Sequence, residues 1–208
     1  MSAIKTILFD ADGVLQLPGG DLEERIETHL GPAPANVMDF LNDIFEIETP
    51  AQIGRGNFRA AMPYVLKKWY PGRTIDEFFA MWLSIETCPQ VMEIVAALRA
   101  QGIYCAIAST QEEHRARFMS ETMGYARAFD HEYYSYALGF TKPDLRYFQA
   151  IIAHGPFDPA TTLFIDDREE NVAAASAAGL HARHFYLERV GEGGAPMRAL
   201  LAEFGIAV

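Results

Sequence analysis

The chain has 208 residues, half of them apolar, and a formal net charge of -11. That length supports one sizeable core with room for an insert, and the apolar share excludes a disordered chain. The acidic balance argues against nucleic acid and against an anionic membrane surface, which both reward clustered Lys and Arg, but a small anionic substrate stays compatible where a local cation opposes the net charge.

The first predicted element is a strand over Lys5 to Phe9, which runs into Asp10, Asp12 and Gly13. The opening residues lack the basic start and long apolar run of a signal peptide, and no apolar run reaches about 18 residues, so a cytoplasmic protein without a membrane span is expected. Residues 17–87 read as helices only. Asp21 and Glu24 form an expected capping box, with Leu22, Ile26 and Leu30 down one face. A second helix starts on Asn36, a third carries Phe58, Met62, Val65 and Trp69, and a fourth opens on the capping box Thr74 to Glu77. Trp69 and Trp82 sit on apolar helix faces and are expected to pack in the core.

From residue 89 the pattern changes. A helix over "PQVMEIVAALRAQG" is followed by the apolar strand "IYCAIAS", a helix over "EEHRARFMSETMG" and a strand at "HEYYS". Then come a helix from Asp144 to Gly155, the strand "TTLFID", the Ala-rich helix "EENVAAASAAG", the strand "HARHFY" and a last helix over "APMRALLAEFG". Alternation of this kind implies βαβ units, hence an α/β fold with a parallel sheet and helices on both faces. Seventy residues without a fold of their own are improbable inside a domain. So 17–87 is read as an inserted helical cap domain, and 1–16 with 88–208 as the core. Cys88 and Cys105 form no CxxC pair, so neither a zinc knuckle nor a redox motif is indicated.

Ligands of an open parallel sheet bind beyond the carboxyl ends of its strands. Those ends deliver Asp10 and Asp12, then Ser109 and Thr110, then Lys142 in "GFTKPD", then Asp166 and Asp167 in "FIDDREEN". Each has a plain reading: a helix cap, a solvated lysine, turn chemistry at Asp-Gly. Together they fit one chemistry. Several carboxylates in one crevice repel unless a cation sits among them, and hard oxygen ligands favour Mg²⁺. A carboxylate can attack phosphorus, a second can pass protons, and Lys, Ser and backbone N–H groups freed by Gly13 can hold phosphoryl oxygens.

"FDADGVL", "ASTQ", "TKPD" and "FIDDREEN", in that order, resemble the four motifs of the haloacid dehalogenase superfamily, and the insert resembles its small helical cap. The resemblance implies a Rossmann-like three-layer α/β/α core. It implies that Asp10 is the nucleophile and becomes an aspartyl-phosphate. Asp12 is then the general acid/base and gives a backbone carbonyl to the metal. Ser109 binds the phosphoryl group, Lys142 steadies the nucleophile, and Asp166 and Asp167 hold Mg²⁺. Thr110 stands where many relatives have Asn, which leaves its role open. Asn171 reads equally as a site residue and as a helix-surface amide. The superfamily includes dehalogenases, phosphatases and phosphomutases. Asp12 favours a phosphatase, because halide leaves without a proton and the dehalogenases carry a different residue there. The expected reaction is therefore hydrolysis of a small phosphorylated metabolite, such as a sugar phosphate. A phosphomutase stays open. A receiver-like phosphoacceptor conflicts with the motif order, and a non-catalytic binding protein has little use for Asp12, Lys142 and Asp166 together. In the cap, Arg55 is a candidate substrate contact, but a solvated surface arginine is the favoured reading. His114 and Arg115 read as cover for an exposed helix face.

Overall fold

The computed structural model describes residues 3–208. Strand β1 (Thr6–Phe9) is buried along its whole length. The chain then leaves the sheet through β2 (Gln16–Pro18) and runs through α1 (Leu22–His29), α2 (Val37–Ala51), α3 (Phe58–Trp69) and α4 (Ile75–Trp82). It returns through β3 (Ile85–Thr87), which pairs antiparallel with β2, Gln16 opposite Thr87 and Pro18 opposite Ile85. The sequence predicts helices alone over 17–87, so this ribbon is a correction. Runs this short show no alternation, and Pro18 masks a strand because it removes a ladder donor.

The four helices pack on one another. Asn36 caps α2 by accepting the Met38 and Asp39 N–H groups, and Thr74 with Glu77 closes a reciprocal box on α4. Asp21 caps α1 through the Glu23 N–H alone, so the box expected with Glu24 does not form. Ile26, Phe40, Ile44, Phe58, Met62 and Phe78 make a cluster of their own. Phe58 is its hub: its ring meets Phe78 and Phe79 edge-on at 6.1 and 5.8 Å. Trp82 stacks on Phe78 at the cluster's edge, and Trp69 is half-buried with its indole N–H on Asp43.

The rest of the chain alternates. In order come α5 (Pro89–Ala100), β4 (Tyr104–Ser109), α6 (Glu113–Arg117), α7 (Tyr125–Ala128), β5 (His131–Tyr134), α8 (Ser135–Leu138), α9 (Leu145–His154), β6 (Thr162–Asp166), α10 (Glu169–Ala177), β7 (His181–His184) and α11 (Gly194–Ala202). The helix predicted over 112–124 is α6 continued by a π turn, Phe118–Thr122. The short helices α7 and α8 are too brief for periodicity to reveal.

The sheet order is β5-β4-β1-β6-β7, with every pair parallel. Period-two alternation sends Ile7, Phe9, Cys105, Ile107, Leu163 and Ile165 to one face, under α5 and α11. Leu8, Ala106, Ala108 and Phe164 go to the other, under α9 and α10. The order reverses at β1, so the crevice opens at its carboxyl end. Among the described residues no helix is long and apolar enough to cross a membrane.

Truncating Phe58 to Ala is expected to destabilise the protein by about 3–5 kcal/mol, read by urea unfolding. A second expectation concerns pH. The Thr74 N–H, then Arg73 and the Thr74 hydroxyl, hold the Glu77 carboxyl down to about 2. A folded value below the unfolded one, about 4.3, means stability that is present above that pH and lost as pH falls toward the folded value. Glu77→Gln should lower the melting temperature at neutral pH, and its effect should fade as pH drops through that window.

Candidate active site

The Asp10 N–H donates to the Ile165 carbonyl at 2.9 Å, which fastens the end of β1 to β6. Asp10 Oδ1 accepts the Ala11 N–H at 2.7 Å and stands 2.8 Å from Lys142 Nζ. The same ammonium lies 2.6 Å from Asp166 Oδ2 and donates to the Ala108 carbonyl at 3.0 Å. Asp166 Oδ1 accepts the Arg168 N–H at 2.9 Å and the Asn171 amide at 2.8 Å. Asn171 is buried, so its role is to orient Asp166 and not to solvate a helix surface.

Burial pushes the Asp10 carboxyl up to about 7; Lys142 pulls it down, and Asp166 and Asp12 add to the rise. Burial would lower Lys142, but Asp10 and Asp166 outweigh it and hold the ammonium charged. Burial, then Asp166, also raises Asp167. So this corner holds more negative charge than Lys142 neutralises. Oxygens of Asp10, Asp166 and Asp167 lie within 4.8 Å of one another, close to the span one hard divalent cation with bonds of about 2.1 Å needs. The residues present fit such an ion.

Asp12 points elsewhere. Arg115 grips it from α6, Nη1 to Oδ2 at 2.6 Å and Nη2 to Oδ1 at 2.8 Å. Gln16 adds a donor to Oδ1 at 2.9 Å, and Gln111 one to Oδ2 at 2.8 Å. Burial opposes ionisation of Asp12, but the Arg115 charge and these hydrogen bonds prevail and hold its carboxyl well below the usual range. Arg115 is thus not surface cover, as its spacing predicts, but the partner of Asp12. Its neighbour Arg117 is the solvated one, with its side chain 62% exposed against 14%. His114 likewise turns inward and meets Phe79 of α4 at 4.3 Å between ring centres.

Ser109 is buried, and its Oγ accepts the Gln111 amide at 3.1 Å, which leaves the hydroxyl proton free to donate. The Thr110 hydroxyl accepts the Lys142 N–H at 3.2 Å and so holds the lysine loop. Gly13 has φ +76°, and a Cβ there would stand 2.5 Å from Asp167 Oδ2. Asp10, Asp12, Ser109, Arg115, Lys142 and Asp167 border one cavity of about 550 Å³. Its other wall is built from the helical insert: Arg25, Phe45, Glu48, Gln52 and Trp82. Arg55 is exposed and lies outside this wall. The sequence reading misses Arg25, Glu48 and Arg115. One signal was available: Glu48 falls on the stripe of Phe40, Ile44 and Ala51, where a charge is out of place.

The family model for haloacid dehalogenase-like hydrolases matches residues 4–179. The chain therefore belongs to that family, and is an enzyme of the hydrolase class. The fold is shared with a HAD family enzyme of Bacteroides thetaiotaomicron solved as a magnesium complex, at 20% identity over 95% of this chain and 100% of that one, TM-score 0.76. The wild-type form of that enzyme with magnesium and inorganic phosphate aligns at 20% identity over 93% and 98%, TM-score 0.73. The L-2-haloacid dehalogenase of Xanthobacter autotrophicus, with chloropropionic acid covalently bound, aligns at 18% over 97% and 86%, TM-score 0.62.

Substituting Gly13 by Ala should destabilise the protein by at least about 1–2 kcal/mol, from the left-handed backbone alone, with the push on Asp167 added. Urea unfolding measures the loss.

Proposed function

We propose that the protein is a Mg²⁺-dependent phosphomonoesterase for small phosphorylated metabolites, with 17–87 as a cap domain over a core of 1–16 and 88–208. The observation that carries this reading is Asp12, a second carboxylate beside the nucleophile position. Expulsion of halide needs no proton, whereas an alkoxide leaving from phosphorus does. The magnesium and phosphate complex of the Bacteroides enzyme supports the same choice. The cavity volume suits a small-molecule leaving group.

Asp10, Asp166 and Asp167 are the residues to hold Mg²⁺, with the Asp12 backbone carbonyl. The ion supplies positive charge that offsets the carboxylates and the substrate's phosphoryl oxygens. Asp10 attacks phosphorus: a carboxylate O–P bond forms, the ester P–O bond breaks, and the proton on Asp12 passes to the leaving oxygen. Asp12 then takes a proton from water as water attacks the aspartyl-phosphate, which frees Asp10 and inorganic phosphate. Lys142 holds the Asp10 carboxylate in place and balances charge on the phosphoryl group. Ser109 donates its free hydroxyl proton to a phosphoryl oxygen, Thr110 supports the lysine loop at the rim, and Gly13 lets backbone N–H groups approach. In the cap, Arg25 Nε and Trp82 Nε1 are buried donors with no partner among the described residues, and they offer hydrogen bonds to the leaving group.

Release of phosphate from p-nitrophenyl phosphate should need Mg²⁺ and stop in excess EDTA; release of chloride from 2-chloropropionate in its place would make the protein a dehalogenase. Asp10→Asn should lower turnover by at least about a thousandfold in protein that still folds, with a lowered melting temperature, because the amide cannot attack and no longer balances Lys142. Arg25→Ala should raise KM more than it lowers kcat.

A further inference from the structure

The insert's side of the cavity holds polar groups that nothing in the protein pairs. Glu48 of α2 is 7% exposed, and its carboxylate has no hydrogen bond and no ion pair among the described residues. Arg25 Nε and Trp82 Nε1 are buried donors that likewise lack a partner among the described residues. Both are held in place. Arg25 Nη1 donates to the Met81 carbonyl at 3.2 Å, and the Trp82 indole stacks on Phe78 with ring centres 5.7 Å apart. An unpaired buried polar group costs stability, and most proteins keep few of them. One acceptor and two donors left open on a single wall therefore describe what the cavity is built to receive. Phe45, Glu48 and Gln52 follow the spacing i, i+3, i+7, so α2 turns them to one face, and all three border the cavity. The Phe45 side of that face is apolar and 42% exposed.

The chemistry of the leaving group follows from what would satisfy this wall. A carboxylate would accept from Arg25 and Trp82 but be repelled by Glu48. An ammonium would donate to Glu48 but has no acceptor for the two donors. A zwitterion such as phosphoserine matches both charges, yet serine is small against a cavity of about 550 Å³ and places nothing on Phe45. A hydroxyl donates and accepts at once, so several hydroxyls on one frame answer all three groups and bring no charge for Arg25 or Glu48 to repel. We propose that the leaving group is an uncharged sugar: its hydroxyls donate to Glu48 and accept from Arg25 Nε and Trp82 Nε1, and the C–H face of its ring lies on Phe45. Glu48 is then a specificity-determining residue, and the cost of burying it unpaired is recovered when the sugar binds. The inference rests on the phosphatase reading.

Phosphate release from glucose 6-phosphate, glucose 1-phosphate and ribose 5-phosphate is compared with release from 6-phosphogluconate, phosphoethanolamine and phosphoserine. The best of the three sugars should exceed each charged leaving group by at least about tenfold in kcat/KM, because the charged ones leave wall groups unpaired or set like charges together. p-Nitrophenyl phosphate, which offers Glu48 no hydroxyl, is the reference ester. Glu48→Gln keeps the shape and exchanges a charged acceptor for a neutral one. It should lower the ratio of kcat/KM on the best sugar to that on the reference by at least about tenfold. Trp82→Phe keeps a ring and removes the N–H; it should lower the same ratio by at least about threefold, and it carries the test where the Gln variant fails to fold. A preference for a charged leaving group, no turnover of the three sugars, or a ratio unmoved in a folded variant would each overturn the proposal while leaving the phosphatase reading intact. A wild-type protein that releases no phosphate from any of these esters ends both.

Discussion

One buried ammonium sets the terms for the rest of the site. Lys142 Nζ sits between Asp10 and Asp166 with its side chain 3% exposed, and its third donor goes to the Ala108 carbonyl. A buried charge is tolerable only when paired and hydrogen-bonded, and each of these three partners comes from the end of a different strand. The lysine therefore ties β4, β1 and β6 together at the point where the sheet order reverses. The apolar alternation below makes that edge rigid: neighbouring strands share register, with Phe9 opposite both Ile107 and Ile165. Removing either carboxylate would leave a buried cation with half its compensation.

Two aspartates separated by a single residue end up in opposite electrostatic states. Asp10 is buried next to Asp166 and is driven toward the neutral form, while Asp12 faces Arg115 and is driven toward the ionised one. Divergent environments are how one crevice gives two like groups different duties. The excess negative charge on the Asp10 side calls for a further cation. The Asp12 side already has one, and it is borne on a long, flexible side chain. That asymmetry suits the different roles proposed for Asp10 and Asp12.

The sheet and the polar strand ends are legible in the sequence because both are local: an apolar run buried on both faces, then a polar residue at its end. The strands of the core announce themselves this way, and so does the grouping of Asp10, Ser109, Lys142 and Asp166. Arg115 is not legible, because "EHRAR" offers two arginines on one helix turn and only tertiary packing decides which turns inward. The β2–β3 ribbon is hidden because its partners lie nearly seventy residues apart and each strand is three residues long. Glu48 lies between these cases. Its place on the apolar stripe of α2 marks it as buried, but its neighbour across the cavity is supplied by another part of the chain.

The ribbon also fixes where motion of the helical unit would be felt. Gln16 is its first residue, paired with Thr87, and is fully buried. The same side chain donates to Asp12 and accepts from Tyr125 of the core. The chain thus departs for the insert only four residues after Asp12, through a residue that is itself bonded to that carboxylate. A rotation of the four helices about the ribbon pulls on Gln16 from one side, while Tyr125 holds it from the other. Asp10 is insulated from that pull by its hydrogen bond to β6 and by Lys142. Asp10 thus belongs to the sheet, and Asp12 sits at the joint between sheet and insert, where Arg115 and Gln16 hold it.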